Sequence, residues 1–175
     1  MLKSKYLGTG LIAVVFAGMG LYFSSIYAAK PQPSDALFAS SLPTIPAQAD
    51  GSAKSLGELR NHVVVLNFWA TWCAPCVKEM PALSAMQNEL AARKIKFVGI
   101  GIDTPEAITE FAQKYKITYP LYVAGMTGTQ LSTEMGNAAG GLPFTVLLNK
   151  SGAVVKTYRG SLDMDKLRKD ILAVK

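Results

Sequence analysis

The two cysteines of the chain stand together in Trp72-Cys73-Ala74-Pro75-Cys76. At that spacing two thiols can close and open a disulfide, or offer a pair of thiolates to a soft metal such as copper(I). An apolar, β-branched run ends just before them and a helical pattern follows, so Cys73 falls at a strand-to-helix junction. Unpaired N–H groups and the positive end of the helix dipole stabilise a thiolate there, which marks Cys73 as the attacking thiol. Cys76, one turn further in, is the natural resolving thiol. Pro75 fits the first turn because the N–H it lacks would have no intrahelical partner. Val77 stands where haem attachment would require a His. With His62 as the single histidine, the chain has three Cys or His ligands, one short of the four that a structural zinc site needs, and no metal site is expected.

These cysteines need a strand before them and a helix after them. Residues 62–69, His-Val-Val-Val-Leu-Asn-Phe-Trp, are too continuously apolar for a surface strand and read as a central strand buried on both faces. A helix is expected over 73–93 and a second buried strand over 96–102. Thr104-Pro105-Glu106 opens another helix, with a side-chain oxygen at the N-cap and Pro at the first position. Ile108, Phe111, Ala112 and Tyr115 then form its apolar face. Strands follow over 119–123, 144–148 and 154–158, the last two joined by the turn Asn-Lys-Ser-Gly at 149–152. Residues 161–174 close the chain as an amphipathic helix with Met164, Leu167, Ile171 and Val174 inward. The order β-α-β-α-β-β-α predicts an α/β fold, a central mixed sheet flanked by helices. His62 reads as a surface residue at the far end of its strand. Met80 and Met86 share a helix face suited to core packing. Trp69 reads as core, and Trp72 is a candidate to line a substrate groove.

The chain has 175 residues, half of them apolar, and a formal net charge of +6. Three of its eighteen basic residues, Lys3, Lys5 and Lys30, flank a long uncharged stretch, which leaves fifteen basic against twelve acidic residues from 31 onward. No basic cluster or basic–aromatic face remains, so no nucleic-acid partner is expected. Residues 7–29 are long and apolar enough to cross a hydrocarbon core of about 30 Å. The positive charges ahead of them place the N-terminus in the cytoplasm and the rest across the membrane. Cleavage after Ala29 or Ala28 would put Tyr27 or Ile26 where a signal peptidase needs a small residue, so 1–29 read as a retained anchor. No cysteine follows the apolar run, which excludes a lipoprotein anchor. Gly20, Ser24 and Ala28 repeat at the small-residue spacing through which membrane helices pack. Residues 30–36, with Pro31 and Pro33, read as a linker, and the soluble domain is expected over 37–175.

The segment Asn67-Phe-Trp-Ala-Thr-Trp-Cys-Ala-Pro-Cys76, with Pro81 in the following helix and Leu142-Pro143 before a later strand, resembles the thioredoxin superfamily. Within it, the segment is similar to the membrane-anchored TlpA/ResA-like thiol–disulfide oxidoreductases that work outside the bacterial cytoplasm. The resemblance covers about residues 37–172. It implies a thioredoxin-like fold and a Cys73–Cys76 dithiol that reduces protein disulfides without a cofactor. It also implies a cis Leu142-Pro143 bond against the cysteines, with the Leu142 backbone presented to a bound substrate strand. Glu79 matches a Glu of that group three residues after the second cysteine. Position i+3 shares a helical face with Cys76, so Glu79 can manage the proton of the resolving thiol; a solvated helix Glu is the alternative.

Asn67 stands where thioredoxin itself carries a buried Asp. Gly141-Leu-Pro-Phe-Thr145 departs from the Gly-Ala-Pro-Glu-Thr-like stretch of cytochrome c maturation reductases, which counts against a dedicated role of that kind. Ala70, three residues before Cys73, departs from the Thr or Ser that the peroxiredoxin branch needs. The implied partners are disulfide-containing extracytoplasmic proteins and a membrane thiol carrier that donates electrons. The implied location is the bacterial inner membrane, with one span and the catalytic domain in the periplasm. A copper(I) chaperone using the same thiolates and a disulfide oxidase are the competing readings.

Overall fold

In the computed structural model, residues 32–46 and 52–174 are described; the expected anchor at 1–29, with Lys30 and Pro31, lies outside them. Among the described residues no helix is long and apolar enough to cross a membrane. The chain runs through α1 (Asp35–Ala39), β1 (Ser41–Leu42), β2 (Thr44–Ile45), β3 (Lys54–Ser55) and a 3-10 turn (Leu56–Leu59) to β4 (Val63–Trp69). Then come α2 (Ala74–Leu90), β5 (Ile95–Gly101), α3 (Pro105–Tyr115), β6 (Leu121–Val123) and α4 (Gly125–Glu134). The hairpin β7 (Phe144–Leu148) and β8 (Val154–Arg159) leads to α5 (Met164–Ala173).

A six-stranded mixed sheet, ordered β2-β6-β5-β4-β7-β8, carries the fold. β4, β5 and β6 are parallel, while β7 runs antiparallel to β4 and β8 antiparallel to β7. All seven residues of β4 are buried because both faces of the sheet are covered. Val63, Val65 and Trp69 face a core built with α2, α3 and α5, including Met80, Leu83, Phe111, Leu167 and Ile171. Val64, Leu66 and Phe68 face a second core with α1, α4 and the 3-10 turn, including Leu37, Phe38 and Leu131. This alternation is the period-2 consequence of a strand buried on both sides. Met80 and Met86 are core residues, as their spacing predicts.

The expected order of elements is present, with additions. Strand 119–123 shortens to Leu121–Val123: Pro120 has no N–H to donate, and only its carbonyl joins the sheet, accepting from the Gly99 N–H at 3.0 Å. The helix expected over 73–93 ends at Leu90, and its last turn tightens into a 3-10 segment, Ala91–Arg93. The helix α4 lies in a stretch whose glycines and threonines give no helical signal. Gly128 lets it approach the end of β5 closely, since a Cβ there would lie 2.9 Å from the side chain of Ile102, just past the strand, and 3.5 Å from that of Ile100. Packing also begins inside the stretch assigned to the linker. Ser34 is buried, and its hydroxyl donates to the Gly152 carbonyl at 2.5 Å, in the turn between β7 and β8.

Candidate active site

The parallel strands bring their C-terminal ends to one edge of the sheet, and the cysteines emerge there. Gly99 in β5 leaves room for Trp69: a Cβ at Gly99 would lie 3.0 Å from the indole nitrogen. Trp69 is therefore fully buried, packed against Phe111 with the rings tilted by 45° and their centroids 4.7 Å apart. The loop 70–72 then turns the chain into α2. Asp103, just past β5, holds this loop by accepting from the Thr71 N–H at 3.2 Å and from the Thr71 hydroxyl. It also accepts from the Thr104 N–H at 2.8 Å. Partial burial opposes its charge, but the hydrogen bonds from Thr71 and Thr104 outweigh it and hold the Asp103 carboxyl below its ordinary value. Trp72 projects outward, 70% exposed.

Cys73 is the N-cap of α2, and its sulfur accepts from the Cys76 N–H at 3.3 Å. The two cysteines form a disulfide, with Cys73 6% exposed and Cys76 fully buried. The Leu142-Pro143 bond is cis. Because Phe144 pairs with Phe68, the register carries Pro143 level with Trp69, at the cysteine edge of the sheet. Pro143 is itself buried and its carbonyl accepts from the Gly160 N–H at 2.9 Å, while Leu142 is half-buried against the core that contains both cysteines.

Glu79 is buried, not a solvated helix residue. One carboxylate oxygen, Oε1, accepts from Asn67 Nδ2 at 3.2 Å, and Oε2 accepts from the Leu162 N–H, also at 3.2 Å. Burial pushes the Glu79 carboxyl up to about 7, against the opposing pull of the Leu162 and Asn67 hydrogen bonds. Asn67 Nδ2 also donates to the Thr145 hydroxyl at 2.9 Å; Thr145 is its partner across the β4–β7 pair. Beside Glu79 opens a cavity of about 440 Å³, lined by Pro75, Lys78, Ala82, Leu162 and Met164 among others. Its walls are mostly apolar, and it borders the first turn of α2 directly.

Sequence spacing points to Cys73 and Cys76 and the family resemblance to Glu79, and the structure places all three on the buried side of α2. Leu142 and Pro143 arrive at the same edge through β7. Asn67, Thr145, Leu162 and Asp103 are the partners that spacing misses. The visible signal for Asn67 is a lone amide inside an otherwise apolar buried strand. A separate cavity, lined by Lys54, His62 and Lys96 among others, lies at the opposite end of β4. His62, half-buried with its ring near the Arg60 carbonyl, is thus remote from the dithiol. Among the described residues no cluster of three or more His, Cys, Asp or Glu could hold a metal ion.

A family model described as Redoxin matches residues 37–172. The chain belongs to the Redoxin family. It is similar to the thiol-disulfide oxidoreductase ResA of Bacillus subtilis, 25% identical over 91% of this chain and 87% of that one. The ResA of Bacillus cereus is 31% identical over 67% of this chain and 66% of its own. A crystal structure of a thiol:disulfide interchange protein of the thioredoxin family from Chlorobium tepidum superposes with a TM-score of 0.68. It is 25% identical and covers 82% of this chain and 96% of that one. This Redoxin protein, with its Cys73–Cys76 pair at a strand-to-helix junction of a thioredoxin-like sheet, is a thiol–disulfide oxidoreductase similar to ResA.

Proposed function

We propose that this protein reduces disulfides of extracytoplasmic proteins from the outer face of the bacterial inner membrane, held there by residues 1–29. The observation that carries the reading is Glu79, a buried carboxyl poised near 7 on the same buried side of α2 as Cys76. A group that exchanges its proton near neutral pH is suited to general acid–base work on a thiol.

In the reduced enzyme the Cys73 thiolate, stabilised by the Cys76 N–H and the helix end, attacks one sulfur of the substrate disulfide. An S–S bond forms to Cys73, and the substrate's other sulfur leaves as a thiolate. Cys76 gives its proton to Glu79 and attacks the Cys73 sulfur. The Cys73–Cys76 disulfide forms, and the second substrate sulfur leaves and takes up the proton from Glu79. Two electrons pass from the dithiol to the substrate. A membrane thiol carrier returns them. The exposed Trp72 and the cis Leu142-Pro143 loop offer the surface on which the substrate strand rests.

Replacing Cys76 by Ser removes the resolving thiol, so the full-length variant should accumulate mixed disulfides between Cys73 and periplasmic proteins. An absence of such adducts, with copper(I) bound tightly by the wild type and lost in Cys73→Ser, would assign the thiols to metal transfer instead. The direction of electron flow is set by the potential. Potentials of proteins of this fold range from about −270 mV for thioredoxin to about −120 mV for DsbA, and a value near the second figure would make this protein an oxidase.

A further inference from the structure

Glu79 must be hydrogen-bonded in two charge states if it takes and returns a proton, and its surroundings serve only one of them as they stand. Oε1 faces Asn67 Nδ2 and Oε2 faces the Leu162 N–H, both donors. This arrangement suits a carboxylate. A proton on either oxygen would point at a donor and leave a buried group unpaired, which low-polarity surroundings penalise. The Leu162 N–H belongs to the backbone and has no acceptor to offer in exchange. Asn67 has one. Its Oδ1 is buried without a hydrogen-bond partner, on the same amide as the doubly used Nδ2.

We propose that the Asn67 amide turns over with the charge of Glu79, placing Nδ2 against the carboxylate and Oδ1 against the carboxylic acid. The inference rests on Glu79 gaining and losing a proton during the reaction. Amide oxygen and nitrogen are nearly the same size, so a half-turn exchanges them without displacing neighbours. The Thr145 hydroxyl completes the exchange. It accepts from Nδ2 in the observed orientation and, being both donor and acceptor, can donate to Oδ1 in the other. Either way one end of the amide is satisfied twice and the other is idle, so the two orientations are balanced apart from Glu79. The Leu162 N–H keeps its bond to Oε2 throughout. An Asp at position 67 could accept in both states but donate in neither when ionised, and an apolar residue could do neither. Asn67 is thus a positioning residue for the proton of Glu79.

Among the described residues the other ionisable groups near Glu79 are Lys78 on the rim of the shared cavity and the Tyr119 phenol from the turn before β6; Cys76, on its own helix, is held in the disulfide and has no proton to exchange in the oxidised protein. Tyr119 is buried, and burial, then the Glu79 charge, oppose its ionisation, so it stays neutral while Glu79 titrates.

The test is nuclear magnetic resonance on the full chain in detergent micelles, oxidised, with nitrogen-15 in asparagine only and the Asn67 signals identified by their loss in Asn67→Ala. From well above the Glu79 midpoint to well below it, the Asn67 Nδ2 protons should shift with the Glu79 carboxyl carbon and lose their contacts to the Thr145 side chain. Glu79→Gln provides the second arm. A Gln there keeps its oxygen on the Leu162 N–H and turns its own NH₂ toward Asn67, so the contacts to Thr145 should be absent at every pH. Contacts that persist across the titration, or that persist in Glu79→Gln, overturn the proposal. The insulin-reduction rate of Glu79→Gln reports separately on the catalytic reading. An unimpaired rate would sink the role of Glu79 in catalysis, whereas a lost rate with a stationary amide would sink only the rotation.

Discussion

Replacing Glu79 by Gln should remove most of the pH dependence of stability between pH 4.5 and about 7. Burial raises this carboxyl from 4.5 to about 7 in the folded protein, so the native state keeps a proton that the unfolded chain has already released. Stability must then fall as pH rises through that window: the contribution of the retained proton is complete below 4.5 and gone above about 7. At about 1.36 kcal/mol per pH unit, a shift from 4.5 to about 7 corresponds to ~3 kcal/mol. Water at the mouth of the adjoining cavity screens the charge, so that figure is an upper bound. Gln carries no charge to bury at any pH. Guanidinium unfolding of the oxidised proteins at several pH values gives the two stability curves. The wild type should lose up to ~3 kcal/mol relative to Glu79→Gln on going from the acid to the neutral end. Parallel curves would refute the reasoning, because they would mean that Glu79 ionises at the same pH whether folded or unfolded.

Three more outcomes follow from the same geometry. Asp103→Ala deletes the acceptor for both Thr71 donors, so it should destabilise the fold by about 1 kcal/mol and slow reduction of substrate by loosening the loop before Cys73. Asp103→Asn, which keeps an acceptor oxygen, should restore much of the rate; equal losses in both variants would show that charge rather than positioning matters. Gly128→Ala should cost about 1–3 kcal/mol in thermal or denaturant unfolding, since the new methyl lies 2.9 Å from Ile102 and 3.0 Å from Ala124. Trp72→Ala removes a side chain that is 70% exposed, so stability should change by no more than about 0.5 kcal/mol while KM for a protein disulfide rises. An unchanged KM would remove Trp72 from the substrate surface.

The parts of the fold that spacing reveals are those in which local signal and tertiary role agree. The run ending at Trp69 is apolar on both faces because β4 is covered on both, and Phe144–Leu148 is bounded by a proline and a turn. Thr104 and Pro105 announce the start of α3 by capping chemistry alone, and Thr104 does accept from the Ala107 N–H at 3.3 Å. The two-residue strands β1, β2 and β3 are too short for any periodicity to register. The helix α4 is held by burial of Leu131 and by the close approach at Gly128, while its glycines weaken the intrinsic preference. For the site, Glu79 is legible through the family resemblance, and i+3 on a helix is the fixed direction that puts it on the face of Cys76. Its partner Leu162 is not, because it acts through a backbone N–H from 83 residues away. Asn67 stands out by type, but only the antiparallel β4–β7 register brings Thr145 to it.

The depth of the two sulfurs has a kinetic consequence for any protein disulfide that exchanges with them. Cys76 is sealed and Cys73 barely reaches solvent, so the attacking sulfur cannot travel to its target. The target must come to it, with its own S–S axis pointing at Cys73 and the flanking chain extended enough to clear Trp72. A disulfide locked inside a packed domain satisfies neither demand until that region opens. Reduction rates across a panel of disulfide proteins should therefore rank by their free energies of local opening, as measured by hydrogen exchange, and not by the reduction potentials of their bonds. Such a dependence would distinguish chains that have not finished folding from those that have.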